Sequence, residues 1–383
     1  MMDRKIRILY FIDTLGIGGI QPFFCNITGK LIQREYEVEF LILDDGKEPI
    51  YEQTVQNMGI PIHKLQGIWI DKPFDYIPYM KALNRFFQKH HEYDIIHLNG
   101  SSKNFIILHY AMKWNIPVRI FHSHSNYFVS TSKLKNMVGN ILKTVMQRYT
   151  TDYIAVSKEA AEWMFGRKIV QEREVLIMRC TIEGDKYRYD YNLREQLREQ
   201  YQCEDKFVIG HVGRFSYYKN HEFLIDIFYN LHQIQPNTIL VLCGSGELEQ
   251  SIQKKVVSLG IQEDVYFFGW QPFEKMANMM DLFIFPSIEE AYGLVVVEAQ
   301  MNGLPCIVGK EPITDDVKVT ALVKEISMQK SAEDWAKEIV CQMPDMRRRN
   351  VEAELVEKGY TIEDSIRLLT EFYRGALTRV VYG

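Results

Sequence analysis

Cysteine is sparse in this chain. The six present, Cys25, Cys180, Cys203, Cys243, Cys306 and Cys341, are scattered with no paired spacing. That argues against a disulfide framework or a zinc site and for a reducing, cytoplasmic setting. Long hydrophobic runs are missing too. The N-terminal stretch RILYFI, Arg7 to Ile12, is cut short by Asp13 and the glycines after it. No run reaches the roughly 18 apolar residues of a membrane span, and no signal peptide is expected. Low-complexity tracts and short repeats are absent. The net charge of −5 leaves no cationic excess for a general nucleic-acid binder, so no nucleic acid is expected as a partner. One further absence is local. Between Asp94 and Asp152 there is no acidic residue, while Lys103, Lys113, Arg119, Lys133, Lys135, Lys143 and Arg148 all fall there.

What is present suits two α/β domains. A chain of 383 residues, 46% apolar and 13% aromatic, can bury two cores. RILYFI, VEFLIL (Val38 to Leu43), DIIHL (Asp94 to Leu98), VRIFH (Val118 to His122) and YIAV (Tyr153 to Val156) read as parallel strands, mostly with helical segments between them. A second series begins at Phe207, after a polar stretch. Alternating strands and helices predict doubly wound sheets. The expected division is 1–185 and 186–360, with a hinge near Arg179 to Arg194. The amphipathic tail 361–383 forms a last helix.

Three strand-to-helix loops in the second half carry candidate chemistry. After LFIF (Leu282 to Phe285) comes PSIEEAYGLVVVEA, with Glu290 before a helix that starts near Gly293 and Glu298 about a turn inside it. A helix mouth offers unpaired N–H groups and partial positive charge to a phosphate. Here the donors are the backbone of Tyr292, Gly293, Leu294 and Val295. A carboxylate on each side would accept hydroxyls, which suits a diphosphate carrying a sugar at each end. Paired glutamates are more often solvated charges, and Val295, Val296 and Val297 favour strand over helix. In VIGHVGRFSYYKN, Arg214 can grip two phosphate oxygens and Lys219 adds a point charge, although exposed loop cations are the ordinary reading. TILVLCG (Thr238 to Gly244) runs into Gly244-Ser245-Gly246, where Gly244 and Gly246 permit tight turning and close approach of backbone to a ligand. Ligands of open parallel sheets bind at such strand ends.

The first half adds Gly16 to Gly19 after the first strand. Gln21 and Pro22 stand where a dinucleotide-binding loop needs its third glycine, so a nicotinamide cofactor is not expected. His122 and His124 end the VRIF strand; either is a structural histidine or a site residue, and with no third ligand nearby in sequence they predict no metal. Leu134, Met137, Val138, Ile141, Leu142, Val145 and Met146 recur at helical spacing. With Lys133, Lys135, Lys143 and Arg148 flanking the stripe, this is either a core-facing helix with solvated cations or a basic amphipathic face for anionic lipid or a lipid diphosphate.

The segments GIGGIQ, HSHSNYF, GRFSYYKN, CGSGEL, FFGW and PSIEEAYGLVVVEA, in that order over most of the chain, resemble glycosyltransferase family four. The AVSKEAAEWMFG stretch (Ala155 to Gly166) is similar to bacterial capsule and exopolysaccharide enzymes. The resemblance implies a GT-B fold, two Rossmann-like doubly wound domains facing each other across a cleft that closes in use, with the last helix returning to the N-terminal domain. It implies retaining hexosyl transfer from a nucleotide sugar, with uridine diphosphate preferred, to a growing lipid-linked saccharide. The expected location is cytoplasmic, peripheral on the inner face of the plasma membrane. By that resemblance Arg214 and Lys219 hold the diphosphate, Glu290 bonds the donor sugar and Glu298 the ribose. The backbone near Gly269 and Trp270 reads the base, Gly18 and Gly19 face the donor phosphate, and His122, with His124 as rival, lies near the reacting sugar. No cofactor or metal is expected, since cations and a helix mouth supply the positive charge, and the departing phosphate assists same-face attack. Two departures stand out. Cys180-Thr181-Ile182-Glu183 replaces a usual Asn-Gly-Ile-Asp, and Ala291 replaces a glycine. A nucleotide-sugar epimerase, an inactive donor-binding subunit and a membrane scaffold remain as alternatives.

Overall fold

The computed structural model describes residues 4–16, 20–44, 50–66, 75–126, 132–290, 292–311 and 313–382. Two compact units form: 1–181 together with 362–383, and 182–361. In the first unit the strands are β1 (Ile6–Ile12), β2 (Tyr36–Leu43), β3 (Ile62–Leu65), β4 (Ile95–Asn99), β5 (Val118–Ser123), β6 (Asp152–Ala155) and β7 (Val175–Ile177). Their order across the sheet is β3-β2-β1-β4-β5-β6-β7, and every pairing is parallel. The central strand explains why. Ile8 to Ile12 are buried without interruption, as a strand covered on both faces must be. Ile8 stands level with Val38 on one side and Ile95 on the other.

The C-terminal helix, Ile362–Tyr382, belongs to this first unit. It packs on the helix Ile20–Leu31 and on β5, burying Ile366, Leu369 and Tyr373.

The second unit repeats the plan with β8 (Phe207–Val212), β9 (Thr238–Cys243), β10 (Val265–Phe267), β11 (Leu282–Phe285), β12 (Cys306–Gly309) and β13 (Val323–Ile326). The order is β10-β9-β8-β11-β12-β13, again parallel throughout. Trp335 seals one face of its core with Ile284, Ile307 and Leu224. In each sheet the order reverses beside the first strand of the series, between β1 and β4 and between β8 and β11. Crevices at such reversals, at the carboxyl ends of the strands, are where open parallel sheets hold ligands.

Candidate functional site

In the second unit the loops leaving β8 and β11 flank the reversal and are tied together. The Ile288 N–H donates to the Tyr218 carbonyl at 2.8 Å, and the Asn220 side-chain amide donates to the Pro286 carbonyl at 3.1 Å. Asn220 takes a left-handed backbone, φ 56°, which an asparagine tolerates, and so launches the helix His221–Ile234. The result brings together two residues 71 positions apart. The Lys219 ammonium lies 2.5 Å from a Glu290 carboxylate oxygen and 4.6 Å from the centre of the Phe285 ring. Ser287 Oγ is 3.5 Å from the same carboxylate oxygen. Both charges are largely withdrawn from water, with side chains 22% and 11% exposed.

Beyond Glu290 the chain turns at Gly293, whose φ of 88° is the left-handed region that glycine enters freely. The helix Leu294–Met301 begins there. Its three valines do not prevent it: Val296 and Val297 are fully buried, and packing overrides a propensity worth tenths of a kcal/mol. Gly303 ends the run with φ 73°. No acidic side chain occupies the first turn. Tyr292 is buried. Ala291 lies outside the described residues.

Glu298 does not sit beside Glu290's cation. Its carboxylate accepts the Tyr187 hydroxyl at 2.9 Å. Burial pushes its acid constant up to about 7, reinforced by Glu274 and opposed by the Tyr187 bond and Lys186. A carboxyl at that value exchanges its proton near neutrality.

Two sequence expectations, that for Gly244 and Gly246 and that for Lys143, need correction here. Gly244 and Gly246 do make a close approach, but to protein. A Cβ on Gly244 would stand 2.0 Å from the Gly213 carbonyl oxygen, and one on Gly246 would stand 2.5 Å from that of Phe215. These glycines lock the β9 loop onto the β8 loop, with Phe215 N–H donating to the Ser245 carbonyl at 3.1 Å. Arg214 projects outward, 71% exposed, and pairs with Glu247 at 3.1 Å; it does not join Lys219 and Glu290. Lys143 is not on a solvated face. It is buried, donates to the Trp163 carbonyl at 2.9 Å and lies 3.2 Å from the Trp163 ring centre. Desolvation there lowers its ammonium to about 8. Trp270 is 39% exposed, and the Gly269 carbonyl is taken by the Gly244 N–H at 2.7 Å.

In the first unit Gly18 and Gly19 lie outside the described residues. His122 is completely buried and His124 partly exposed, their rings 4.0 Å apart. His97, one strand away and unmarked in the sequence reading, contacts His122 at 3.1 Å. Burial holds His97 and His122 well below the usual imidazole range and His124 at about 3, so all three are neutral. Two more buried histidines were missed in the second unit: His211, bonded to the Ile284 carbonyl at 2.8 Å, and His221, stacked on Phe215 at 4.1 Å. A short apolar strand hides His97 and His211, because a single histidine inside it looks like any other core position.

One group of metal-capable side chains gathers among the described residues: Glu39, His63 and His90. Glu39 already accepts His63 and the Tyr93 hydroxyl at 2.7 Å each, and Arg7 stands 3.5 Å away. That is an ion-pair network, with a fixed cation disfavouring a second.

The basic helix spans Lys133–Gln147, and Ser132 caps it by accepting the Lys135 N–H. Leu134, Met137, Val138 and Ile141 are 46% to 66% exposed. Lys133, Lys135 and Arg148 are exposed with them. Met146 is buried in the unit's core. Among the described residues no helix is long and apolar enough to cross a membrane.

Comparison with known proteins agrees with this architecture. A family model described as "Glycosyltransferase Family 4" matches residues 17–182, and one described as "Glycosyl transferases group 1" matches 194–353. EpsF of Bacillus subtilis (strain 168) is 23% identical, covering 97% of each chain. A UDP-Gal:alpha-D-GlcNAc-diphosphoundecaprenol alpha-1,3-galactosyltransferase of Escherichia coli is 24% identical over 79% of each. Among solved structures, HepE of Anabaena, in complex with UDP and glucose, superposes with a TM-score of 0.79 at 18% identity, covering 97% of this chain and 100% of its own. The two parallel sheets are thus those of the GT-B fold. The two family matches together span most of the chain, and it belongs to the family-four, group-1 glycosyltransferases that they describe, alongside relatives such as a capsular polysaccharide biosynthesis glycosyltransferase of Staphylococcus aureus.

Proposed function

We propose that this glycosyltransferase moves a sugar from a uridine diphosphate sugar, with retention of configuration, to a hydroxyl of a lipid-diphosphate-linked saccharide. The observation that carries the reading is the Lys219–Glu290 pair at the strand reversal of the second sheet, beside a helix start free of acidic side chains. Lys219 and the N–H groups of Leu294 and Val295 neutralise the charge that grows on the departing diphosphate. Glu290 accepts a hydroxyl of the donor sugar, and the lysine beside it holds the carboxylate in place for that task. Arg214 exchanges its exposed partner Glu247 for a phosphate oxygen. Glu298 accepts ribose hydroxyls, and His122 bonds the transferred sugar. The uridine nucleotide and the lipid-linked acceptor are suggested by relatives whose names carry them. Retention follows the family resemblance, and the chemistry above needs no metal or cofactor.

The exposed stripe on Lys133–Gln147 supports docking to an anionic lipid surface. Its apolar residues enter the headgroup boundary while Lys133, Lys135 and Arg148 meet phosphates.

The test is transfer from uridine diphosphate sugars in the full-length protein with Lys219→Ala and Glu290→Gln. Each substitution is expected to cut kcat by at least about a hundredfold, the scale of losing one preorganised charge contact, with circular dichroism unchanged. Full turnover in either variant refutes the assignment. An isomerised donor formed without acceptor would point to an epimerase instead.

A further inference from the structure

Four fully buried side chains of the first unit form a single hydrogen-bonded row: Tyr10, Tyr373, His97 and His122, each 0% exposed. The Tyr10 and Tyr373 hydroxyls are 2.7 Å apart. The Tyr373 hydroxyl is 2.6 Å from His97 Nδ1, and His97 Nε2 is 3.1 Å from His122 Nδ1. Phe24 meets His97, His122 and His124 edge-on and fixes the ring planes.

Only one direction of donation satisfies this row. Tyr373 is the sole partner within bonding reach of the Tyr10 hydroxyl among the described residues, so Tyr10 must donate to it; otherwise a buried O–H is left without an acceptor, at a cost of about 1–3 kcal/mol. Tyr373 then donates to His97 Nδ1. A neutral imidazole with an accepting Nδ1 carries its proton on Nε2, so His97 donates to His122 Nδ1. His122 is left with its proton on Nε2, and that nitrogen is buried with no partner among the described residues.

A second row sets His124. The Asn99 amide nitrogen faces the His97 carbonyl at 3.4 Å, which turns its oxygen toward His124 Nε2 at 2.9 Å. His124 therefore donates from Nε2, and its Nδ1 is a bare acceptor, also buried without a partner among the described residues. Two stacked rings share one tautomer but leave opposite nitrogens unfilled: an N–H donor on His122 and a lone pair on His124. A hydroxyl group, which accepts and donates at once, is the complement.

We propose that Tyr373, acting through His97, and Asn99 are positioning residues that fix the protons of His122 and His124, so that the pair recognises a sugar hydroxyl. The proposal rests on the reading that His122 bonds the transferred sugar. It gives the C-terminal helix a chemical task as well as a packing one.

The experiment labels the histidines of the full-length protein with nitrogen-15 and reads each ring's tautomer by NMR, beside steady-state transfer kinetics. Wild type is expected to show His122 protonated only at Nε2. Tyr373→Phe keeps the ring and removes the hydroxyl; it is expected to give His122 a mixture of tautomers and to lower kcat about 10–100-fold, the range for groups that orient a functional histidine. Tyr10→Phe leaves the Tyr373 hydroxyl no acceptor but His97, so His122 keeps its single tautomer. In a His122→Ala background Tyr373→Phe should add no further loss, because residues acting through one another are not additive. An unchanged tautomer in Tyr373→Phe, or equal disturbance by both tyrosine variants, overturns the proposal in favour of packing. Full transfer by His122→Ala sinks instead the reading that His122 bonds the sugar, while the tautomer result still stands on its own.

Discussion

At the scale of single residues, the two glutamates that looked like a matched pair are in different electrostatic states. Glu290 has a lysine at 2.5 Å. Glu298 has a phenol and a nearby carboxylate, Glu274, and its acid constant rises from 4.5 to about 7. The sign of the consequence is fixed. The folded protein holds a proton on Glu298 that the unfolded chain has already released, so this group's contribution to stability falls as pH rises from about 4.5 to about 7 and is flat above. Glu298→Gln is always neutral. It is expected to melt higher than wild type near pH 8, with the advantage vanishing near pH 4.5. Function runs the other way: ribose hydroxyls prefer the ionised carboxylate, so wild-type affinity for uridine diphosphate should strengthen between about pH 6 and about pH 8, while the Gln variant binds weakly and without that slope. Thermal denaturation and calorimetric titration at several pH values read both. A variant whose advantage over wild type is no larger at pH 8 than at pH 4.5 would show that the carboxylate is not desolvated.

At the scale of elements, legibility followed local apolarity. The runs Ile8 to Ile12, Ile239 to Leu242 and Leu282 to Phe285 announced their strands because burial on both faces demands unbroken apolar sequence. The edge strands β3, IHKL, and β13, VKEI, carry charges toward water and look like loops. The helix Leu294–Met301 was legible from its bounding glycines in spite of its valines. What could not be read were partners set by the fold. Trp163 receives Lys143 from 20 positions away, Tyr187 reaches Glu298 from 111, and Tyr373 meets His97 from 276. The helix Lys133–Gln147 shows the same division. Its pattern gave the stripe, but only the structure separates buried Lys143 and Met146 from exposed Leu134, Met137, Val138 and Ile141. That separation yields a specific expectation. Leu134→Asp with Ile141→Asp should weaken flotation with anionic vesicles at least about tenfold, since each apolar side chain inserted contributes roughly 1.5–3 kcal/mol. Lys135→Gln should cost about fivefold, near 1 kcal/mol, and this part alone should fade with salt. Flotation indifferent to all three changes would remove the lipid-facing role.

For the whole molecule, the division into units makes the last 22 residues part of the first unit's core, although they follow the second unit in sequence. Ile362, Ile366, Leu369, Phe372 and Tyr373 are each at most 8% exposed. At roughly 1.5–3 kcal/mol apiece their burial contributes on the order of 10 kcal/mol, comparable with the entire stability of a domain. The helix's ion pairs, Arg374 with Glu35 and Arg379 with Asp152, place half-exposed arginines at the surface and add little. Removing 362–383 should therefore uncover Tyr10, Tyr36 and the helix Ile20–Leu31 and unfold the first unit. The second unit keeps every strand of its own sheet and the Lys219–Glu290 pair. Limited proteolysis of the truncated chain is expected to digest residues 1–181 and spare a fragment near 182–361, and that fragment should still be stabilised by uridine diphosphate. At a hundred times the dissociation constant the gain is about 2.7 kcal/mol. If the first half survives intact, the C-terminal helix is not the element that completes the first core; if both halves are digested together, the second unit does not stand on its own sheet.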